Sequence, residues 1–349
     1  MEIISGKKEY FFKFLDDLKK EDRIAVICHN DLDGIASGII INEILKSKKL
    51  KPKIIQFITC EGSMFGSLIK KLKNKKINKI LIADLAVDTD YEGYKKIDKG
   101  FDSFSIDHHE FKYFNEKNMI KTRAEDCATF SLFQLAKEYL PKEEMTSPKL
   151  AELVCATMII EFSYKDEENK NFIKSFYPEI NPETAYNNSE LGEICKKVSS
   201  ALIYFEGKEI KIFKTLLKIK LDKLNKYSKI VEKEIQNHIN SFEKEQEFFS
   251  KKNIHFYYKT PKLKVVSAAS TKLSLEKPND TFILIYNLKD KPGFVKVSAR
   301  NQSGTQDMNL LMKKGVEGLQ NAVGGGHPKA AGGDFMKKDL QKFKENILK

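Results

Sequence analysis

The chain of 349 residues contains no tryptophan, only three arginines among its 61 basic residues, and only five cysteines, all widely spaced. The absence of a C-x-x-C pair argues against a zinc knuckle or a disulfide framework, so we expect buried apolar thiols in a reducing compartment. No apolar stretch approaches the roughly 20 residues that a membrane-spanning helix needs. Since the first residues also lack the pattern of a signal peptide, we expect a cytoplasmic protein with no membrane partner.

The balance of charge is strongly positive, with a formal net charge of +12 at pH 7. A basic surface attracts polyanions, so the composition favours a polyanionic partner. The excess is nearly all lysine, and lysine-rich composition also arises from habitat or genome bias. Charge alone therefore supports nucleic acid only weakly.

The N-terminal part alternates short apolar segments with segments of helical periodicity, which predicts an α/β fold with a mainly parallel sheet flanked by helices. The predicted strands are 24–28, 53–58, 79–84 and 102–106, and the predicted helices are 8–20, 35–47, 64–74 and 91–98. Residues 127–163 read as helical and partly buried, and the polar stretch 164–190 reads as a surface excursion.

The rest of the chain predicts two further parts. Residues 191–253, rich in Lys and Glu, are expected to form a helical connector, with a coiled-coil arm as the alternative. A smaller C-terminal α/β domain is expected over 254–349. Its predicted elements are strands 255–259, 264–267, 281–286 and 294–299, helix 307–314 and a glycine-rich loop over 324–333. The first domain would then cover 1–190.

Acids and histidines follow three of the predicted strands. The motifs are His29-x-Asp31-x-Asp33-Gly34, Asp84 and Asp107-His108-His109. In parallel sheets ligands bind beyond the carboxyl ends of the strands, and mixed nitrogen and oxygen donors favour Mn²⁺, Fe²⁺, Co²⁺ or Zn²⁺ over Ca²⁺. Adjacent histidines at an extended strand end point to opposite sides. We therefore expect one of them to ligate a metal while the other reaches the substrate or an acid.

A second group of candidate residues lies near the C-terminus. Three consecutive glycines, Gly324, Gly325 and Gly326, allow close approach of the backbone to a bulky anion. His327 and Lys329 can donate hydrogen bonds to that anion, and a flexible surface turn is the alternative interpretation. Arg300, at the end of a predicted strand, can clamp a phosphate with two hydrogen bonds.

In these motifs taken together, the chain resembles the DHH phosphoesterase superfamily with a C-terminal domain of the DHHA1 type. The resemblance implies two divalent ions, usually Mn²⁺, with Mg²⁺ or Co²⁺ able to substitute. It implies that one ion is held by His29, Asp31 and Asp84, and the other by Asp33, Asp84 and His108. Asp84 would bridge the ions, His109 would contact the scissile phosphate, and Asp107 would orient the site. Arg300, Gly324, Gly325, Gly326, His327 and Lys329 would hold the nucleotide.

One position departs from the family pattern. Where the family has a further aspartate ligand after an apolar segment, this chain has Glu161, one methylene longer. A glutamate can still ligate, although its reach shifts the second ion.

The resemblance implies a metal-dependent exonuclease on single-stranded DNA or RNA, similar to RecJ, with water activated by two ions in a cleft between lobes. The first alternative is a nanoRNase-type phosphatase acting on very short oligonucleotides or adenosine bisphosphate. The second is a RecJ-like scaffold in a replication complex, with a GINS-type partner and weak or no catalysis. Family scaffolds without catalysis usually lose motif residues, and here only the Glu161 position differs.

Overall fold

The protein, seen in a computed structural model, is described for residues 1–59, 63–109, 117–141, 148–218 and 220–349. These residues form two compact units, Met1–Ser228 and Lys229–Lys349. Each unit contains one six-stranded sheet. Within the described residues, no helix is both long enough and apolar enough to cross a membrane.

The sheet of the first unit has the order β1-β6-β5-β4-β2-β3 and is parallel except for β1, which pairs antiparallel with β6. Its strands are β1 Ile3–Ser5, β2 Ile24–His29, β3 Ile54–Ile58, β4 Lys79–Ala83, β5 Asp102–Asp107 and β6 Met119–Thr122. The described helices of this unit, α1 to α10 in chain order, are Lys8–Asp16, Leu32–Ser47, Gly66–Asn74, Tyr91–Gly100, Ala128–Tyr139, Pro148–Ile160, Glu167–Phe176, Ala185–Asn188, Glu190–Tyr204 and Ile210–Leu217.

Both faces of this sheet are covered, because successive side chains of a strand point to opposite sides. In β2, Val26 and Cys28 belong to one apolar cluster with α1, α2, α5 and α6, whereas Ala25 and Ile27 belong to a second cluster with α3 and α4. Central strands that are buried on both faces read as continuous apolar runs, as β2 and β4 do. The predicted α/β class and flanked parallel sheet are confirmed.

The second unit has a sheet of order β11-β12-β10-β9-β8-β7, in which only the β8–β9 pairing is parallel. Its strands are β7 Glu247–Phe249, β8 Ile254–Tyr258, β9 Thr281–Asn287, β10 Phe294–Arg300, β11 Val323–His327 and β12 Ala330–Met336. Its helices are α12 Val266–Glu276, α13 Met308–Gly315 and α14 Leu340–Leu348, which follow α11 Asn225–Glu245.

The boundary between the units falls inside α11. Leu191, Val198 and Phe213 of α9 and α10 belong to the core of the first unit. Ile239 and Phe242 of α11 belong to an apolar cluster of the second unit. Residues 191–253, which the sequence predicts to be a connector, are thus shared between the two packed units, and the predicted domain limits stay a prediction.

Several sequence predictions were wrong in detail. The predicted strand 264–267 was wrong, because α12 begins at Val266, which belongs to an apolar cluster of the second unit. Residues 127–163, by contrast, were predicted to be helical, and they carry the two described helices α5 and α6. The predicted excursion 164–190 carries α7, which Asp166 caps through the Asn169 N–H at 3.1 Å, and Arg123 Nη1 donates to Asp166 at 3.0 Å.

The predicted glycine-rich loop was also wrong, because it is a β-hairpin of β11 and β12 closed by Pro328 and Lys329. A Cβ at Gly324 would lie 2.5 Å from the Met312 carbonyl oxygen, so glycine lets β11 pack against the end of α13. Gly326 has φ +149°, a conformation that side chains disfavour. Four of the five cysteines are buried free thiols, as predicted, and Cys60 lies outside the described residues.

Candidate metal centre

The acids and histidines of the three N-terminal motifs converge at one edge of the first sheet. His29 ends β2, Asp84 follows β4 and Asp107 ends β5. Because β2, β4 and β5 are adjacent and parallel, their carboxyl ends meet there. Two groups of ligand atoms lie within 4.8 Å of one another, namely His29 with Asp31 and Asp84, and Asp84 with His108 and His109.

Asp84 belongs to both groups. Its side chain is buried, with Oδ1 3.5 Å from His108 Nε2 and Oδ2 3.7 Å from His29 Nδ1. The residue has φ 58°, and its N–H donates to the Ile106 carbonyl at 3.0 Å. Aspartate tolerates this left-handed conformation better than most residues do, and the turn carries the chain sharply off β4. One carboxylate thereby faces imidazoles from two other motifs.

His29 and Asp31 are held together by the start of α2. Asp31 Oδ2 lies 2.6 Å from His29 Nδ1, and Asp31 Oδ1 accepts the Gly34 N–H at 2.9 Å as the helix cap. A Cβ at Gly34 would stand 2.1 Å from the His29 carbonyl oxygen. The glycine of the motif is therefore required for the helix to begin so close to the end of β2.

Asp33 is buried and oriented by a helix that follows much later in the chain. Its two carboxylate oxygens accept the N–H groups of Ala128 and Thr129 at 2.9 and 2.7 Å, at the start of α5. Asp33 Oδ2 also lies 3.6 Å from His108 Nε2. The free N–H groups and positive end of a helix dipole interact favourably with a carboxylate. Nothing in the sequence at Asp33 indicates this support.

The Asp107-His108-His109 segment departs from the expectation that its two rings point apart. Their centroids lie 4.6 Å apart, and both approach Asp84 Oδ1, His108 Nε2 at 3.5 Å and His109 Nδ1 at 4.0 Å. The expectation was wrong because β5 ends at Asp107. The two histidines therefore lie beyond the strand, and their side chains do not alternate as those of an extended strand do. His108 Nδ1 lies 3.0 Å from the Ala124 carbonyl, which fixes its ring.

Asp107 is fully buried and contacts His109 Nδ1 at 2.8 Å through Oδ1. Burial opposes ionisation of this carboxyl, but the hydrogen bond to His109 and the charge of Lys121 outweigh it, so its pKa is below the usual value. The hydrogen bond to Asp107 in turn raises the pKa of His109, against the opposing effect of burial. Lys121 was not among the predicted site residues, because the sequence indicates neither the short strand β6 nor the burial of its lysine.

Glu161 follows α6 and sits close enough to this cluster to respond to it. Burial, and next the carboxylates of Asp33 and Asp31, raise its pKa to about 8. Burial likewise raises the pKa of Asp84 well above its usual value, with Asp33 and Asp31 as the next causes. Glu161 is absent from both close groups of ligand atoms among the described residues. The structure thus brings it near the site without showing it as a ligand.

The donor set fits divalent cations. Among the described residues, Asp84 Oδ2 is a buried polar atom without a hydrogen-bond partner. Buried polar groups normally find partners, so this atom fits a site that takes a cation. Five interacting carboxyl groups, with raised pKa values at Asp84 and Glu161, also call for positive charge; they are those of Asp31, Asp33, Asp84, Asp107 and Glu161. Imidazole nitrogen and carboxylate oxygen suit Mn²⁺ and its neighbours in the first transition row.

The C-terminal candidates form a separate group in the second unit. Arg300 ends β10 and is in register with Ala330 of β12, which is in register with His327 of β11. Arg300 is half-buried, its Nε has no hydrogen-bond partner among the residues that the structure describes, and burial lowers its pKa. The Asn301 N–H donates to the Lys329 carbonyl at 3.1 Å, and Asn309 Oδ1 accepts the Gly326 N–H at 3.1 Å. Arg300, His327 and Lys329 therefore share one end of this sheet.

Protein-family models match both units of the chain. The model of the DHH family, N-terminal domain, matches residues 23–158, and the DHHA1 domain model matches 252–349, so the two together span about two thirds of the chain. No curated protein sequence matches the chain.

Solved structures share the fold at low sequence identity. RecJ from Thermus thermophilus in complex with Mn²⁺ has a TM-score of 0.71 at 14% identity, covering 97% of this chain and 53% of RecJ. An exonuclease RecJ bound to manganese has a TM-score of 0.70 at 14% identity, with 97% and 92% covered. CDC45 from Entamoeba histolytica has a TM-score of 0.57 at 11% identity, with 97% of both chains covered. The chain spans about half the length of the Thermus RecJ. Its two domain models and its fold show that the chain belongs to the DHH family and has a RecJ-like DHH–DHHA1 architecture.

Proposed function

We propose that this protein is a metal-dependent phosphodiesterase, acting as an exonuclease on single-stranded DNA or RNA. The observation that carries the proposal is the position of Asp84, whose two oxygens face His108 and His29 at 3.5 and 3.7 Å. A buried carboxylate between two sets of nitrogen and oxygen donors suits a pair of divalent ions. The RecJ structures with which the fold is shared contain manganese.

On this proposal His29, Asp31 and Asp84 hold one Mn²⁺ ion, while Asp33, Asp84 and His108 hold the other, with Glu161 beside them. Mg²⁺ or Co²⁺ would substitute. When bound, such ions polarise the phosphoryl oxygens and lower the pKa of water. The α5 N–H groups hold the Asp33 carboxylate in one orientation. His109, held by Asp107, lies beside Asp84 and is available to contact a phosphate.

Arg300, His327 and Lys329, together with the glycine strand Gly324–Gly326, are proposed to bind the nucleotide. The guanidinium of Arg300, at the end of β10, can donate to a phosphate oxygen. The net charge of +12 would favour the approach of a nucleic-acid strand.

The test is incubation with Mn²⁺ and end-labelled single strands, in DNA and RNA forms, as dinucleotides and as strands of about twenty nucleotides, a length beyond the usual ~4–16 nucleotide site of a single-strand-binding fold. A ladder from the long strands would support the exonuclease, and the position of the label would give its polarity. Cleavage of the dinucleotide alone would favour the nanoRNase-type alternative. No cleavage of any strand by the metal-loaded protein would refute the proposal and favour the scaffold with a GINS-type partner.

Replacing His327 with alanine is expected to raise KM about tenfold, because a hydrogen bond to a charged phosphate contributes about 1.5 kcal/mol. Bound metal per chain should stay unchanged, since His327 lies in the second unit and the metal ligands lie in the first. Steady-state kinetics and metal analysis measure the two quantities. Lys338→Ala, which removes an exposed cation from the same unit, is the matched control. An unchanged KM would remove His327 from the binding site.

A further inference from the structure

A fully buried lysine, Lys121, contacts the Asp107–His109 segment of the candidate metal centre. Lys121 lies in β6, directly in register with Asp107 of the parallel neighbour β5. Its Nζ contacts Asp107 Oδ2 and donates to the His109 carbonyl oxygen at 3.1 Å. A buried ammonium group is costly unless it is paired and hydrogen-bonded. Among its contacts, Lys121 therefore engages the segment Asp107–His109 at both a side chain and a main-chain atom.

These contacts close a ring around His109. Asp107 Oδ2 meets Lys121, while its Oδ1 lies 2.8 Å from His109 Nδ1. The same lysine then returns to the main chain of His109. The imidazole is thus held through Nδ1 and the backbone is held through its carbonyl. A proton on Nδ1 leaves Nε2 as the unprotonated ring nitrogen, in the way that carboxylates orient functional histidines.

We propose that Lys121 is a positioning residue, which holds Asp107 and the backbone of His109 so that the His109 ring keeps one orientation and one tautomer for the reaction. This inference rests on the proposed phosphodiesterase function. Lys121 is too deeply buried to touch a substrate, so it acts through Asp107. Removing it leaves Asp107 with His109 as its partner and leaves the His109 carbonyl without the lysine donor.

The chain contains a matched pair that has no such role. Lys79 and Asp102 form a lysine–aspartate contact between β4 and β5 of the same sheet, at the amino ends of the strands. That edge is opposite to the candidate metal centre, and the side chain of Asp102 is about half exposed. Lys79→Met therefore removes the same kind of contact from the same sheet without disturbing the histidines.

The kinetic test compares Lys121→Met with Lys79→Met after their melting temperatures have been measured. For Lys121→Met we expect kcat to fall about 10- to 100-fold, the usual effect of removing a partner that orients a functional group. KM should change by less than about threefold, because binding of the ground state is left intact. In the Asp107→Asn background, Lys121→Met should cost much less activity than in the parent, since only its contact with the His109 carbonyl then remains to be lost. A full additional loss in that background would overturn the proposal.

A spectroscopic arm does not depend on turnover. In ¹⁵N spectra of the metal-free protein at one pH, the His109 Nδ1–H signal should be protected in the parent and in Lys79→Met, and lost or exchange-broadened in Lys121→Met. An unchanged signal in a folded Lys121→Met protein would overturn the proposal. If the parent cleaves no substrate but the signal responds, the positioning holds and the proposed function fails. Should Lys121→Met not fold, Lys121→Gln provides the same comparison.

Discussion

Replacing Asp84 with alanine is expected to abolish turnover while the fold is retained. Both of its oxygens face imidazoles, so its loss would remove a ligand from each of the two proposed ions at once. If the ions contribute about 4 kcal/mol of transition-state stabilisation, the rate should fall about a thousandfold or more. Initial rates on labelled single strands, with metal content measured on the same samples, provide the measurement. Near-normal activity would remove Asp84 from the centre of the site.

Asp84→Asn separates the loss of charge from the loss of shape. Asparagine tolerates the φ of 58° at this position at least as well as aspartate does. Burial and neighbouring acids raise the pKa of Asp84 in the folded protein. The metal-free folded state therefore loses stability as pH rises, because Asp84 ionises less readily there than in the unfolded chain. We therefore expect Asp84→Asn to be inactive and yet more stable than the parent at pH 7 without metal. Chemical denaturation in a chelator tests this, and a less stable variant would contradict it.

Asp90 provides a control for the Asp84 variants, because it is a nearby acid whose contacts are structural. Asp88 and Asp90 follow Asp84 in the chain, and Asp90 caps α4 through the Gly93 N–H at 3.1 Å and accepts the Phe65 N–H at 2.9 Å. Asp90→Asn should therefore lower the melting temperature with little effect on kcat. This variant is a control for Asp84→Asn, because the same acid-to-amide change should here lower stability and leave activity nearly intact.

The placement of the candidate metal centre could be predicted because it follows from short-range features. An apolar run that ends in an acid or histidine indicates a strand end, and parallel neighbours bring those ends together. His29, Asp84 and the Asp107 segment therefore meet at one edge, as the sequence predicted. The glycine of the first motif could also be anticipated, since only a residue without Cβ lets α2 start against His29.

What could not be predicted depends on pairings between distant segments. The support of Asp33 comes from the start of α5, about 95 residues later in the chain, and the buried partner of Asp107 comes from β6. The order β1-β6-β5 that brings Lys121 behind Asp107 is not written in local periodicity. The glycine hairpin was missed for a related reason, since glycine normally weakens strands and here is needed for the approach of α13.

The pKa values of the acids in the candidate metal centre link the stability of the metal-free fold to the proposed binding of metal. Burial, followed by the charges of Asp33 and Asp31, raises the pKa values of Asp84 and Glu161. Burial also opposes ionisation of Asp31, but its hydrogen bonds to His29 and to the Gly34 N–H outweigh that effect and lower its pKa. The metal-free site is thus held partly by protons, which divalent ions would displace on binding.

Glu161 allows the competition between protons and divalent ions to be measured. Its pKa is about 8 in the folded protein, above its ordinary value near 4.5. The folded state therefore binds a proton that the unfolded chain has lost, and stability is present at low pH and lost as pH rises toward 8. Since one pKa unit corresponds to about 1.4 kcal/mol, the metal-free protein should lose on the order of 2 kcal/mol or more between about pH 5 and pH 8. Mn²⁺ should restore stability most strongly at pH 8.

Glu161→Gln should flatten that pH profile without metal, because the amide has no proton to lose, and should weaken the stabilisation by Mn²⁺ at pH 8 if Glu161 ligates the second ion. Glu152→Gln is the matched control in α6, the helix that Glu161 follows, where burial and next Glu190 raise the pKa of the glutamate away from the metal ligands. It should leave the Mn²⁺ effect intact. Denaturation curves across pH, with and without Mn²⁺, give both quantities. A flattened profile with undiminished Mn²⁺ stabilisation would show that Glu161 responds to the acids around it without holding an ion, and would assign the second ion to Asp33, Asp84 and His108 alone.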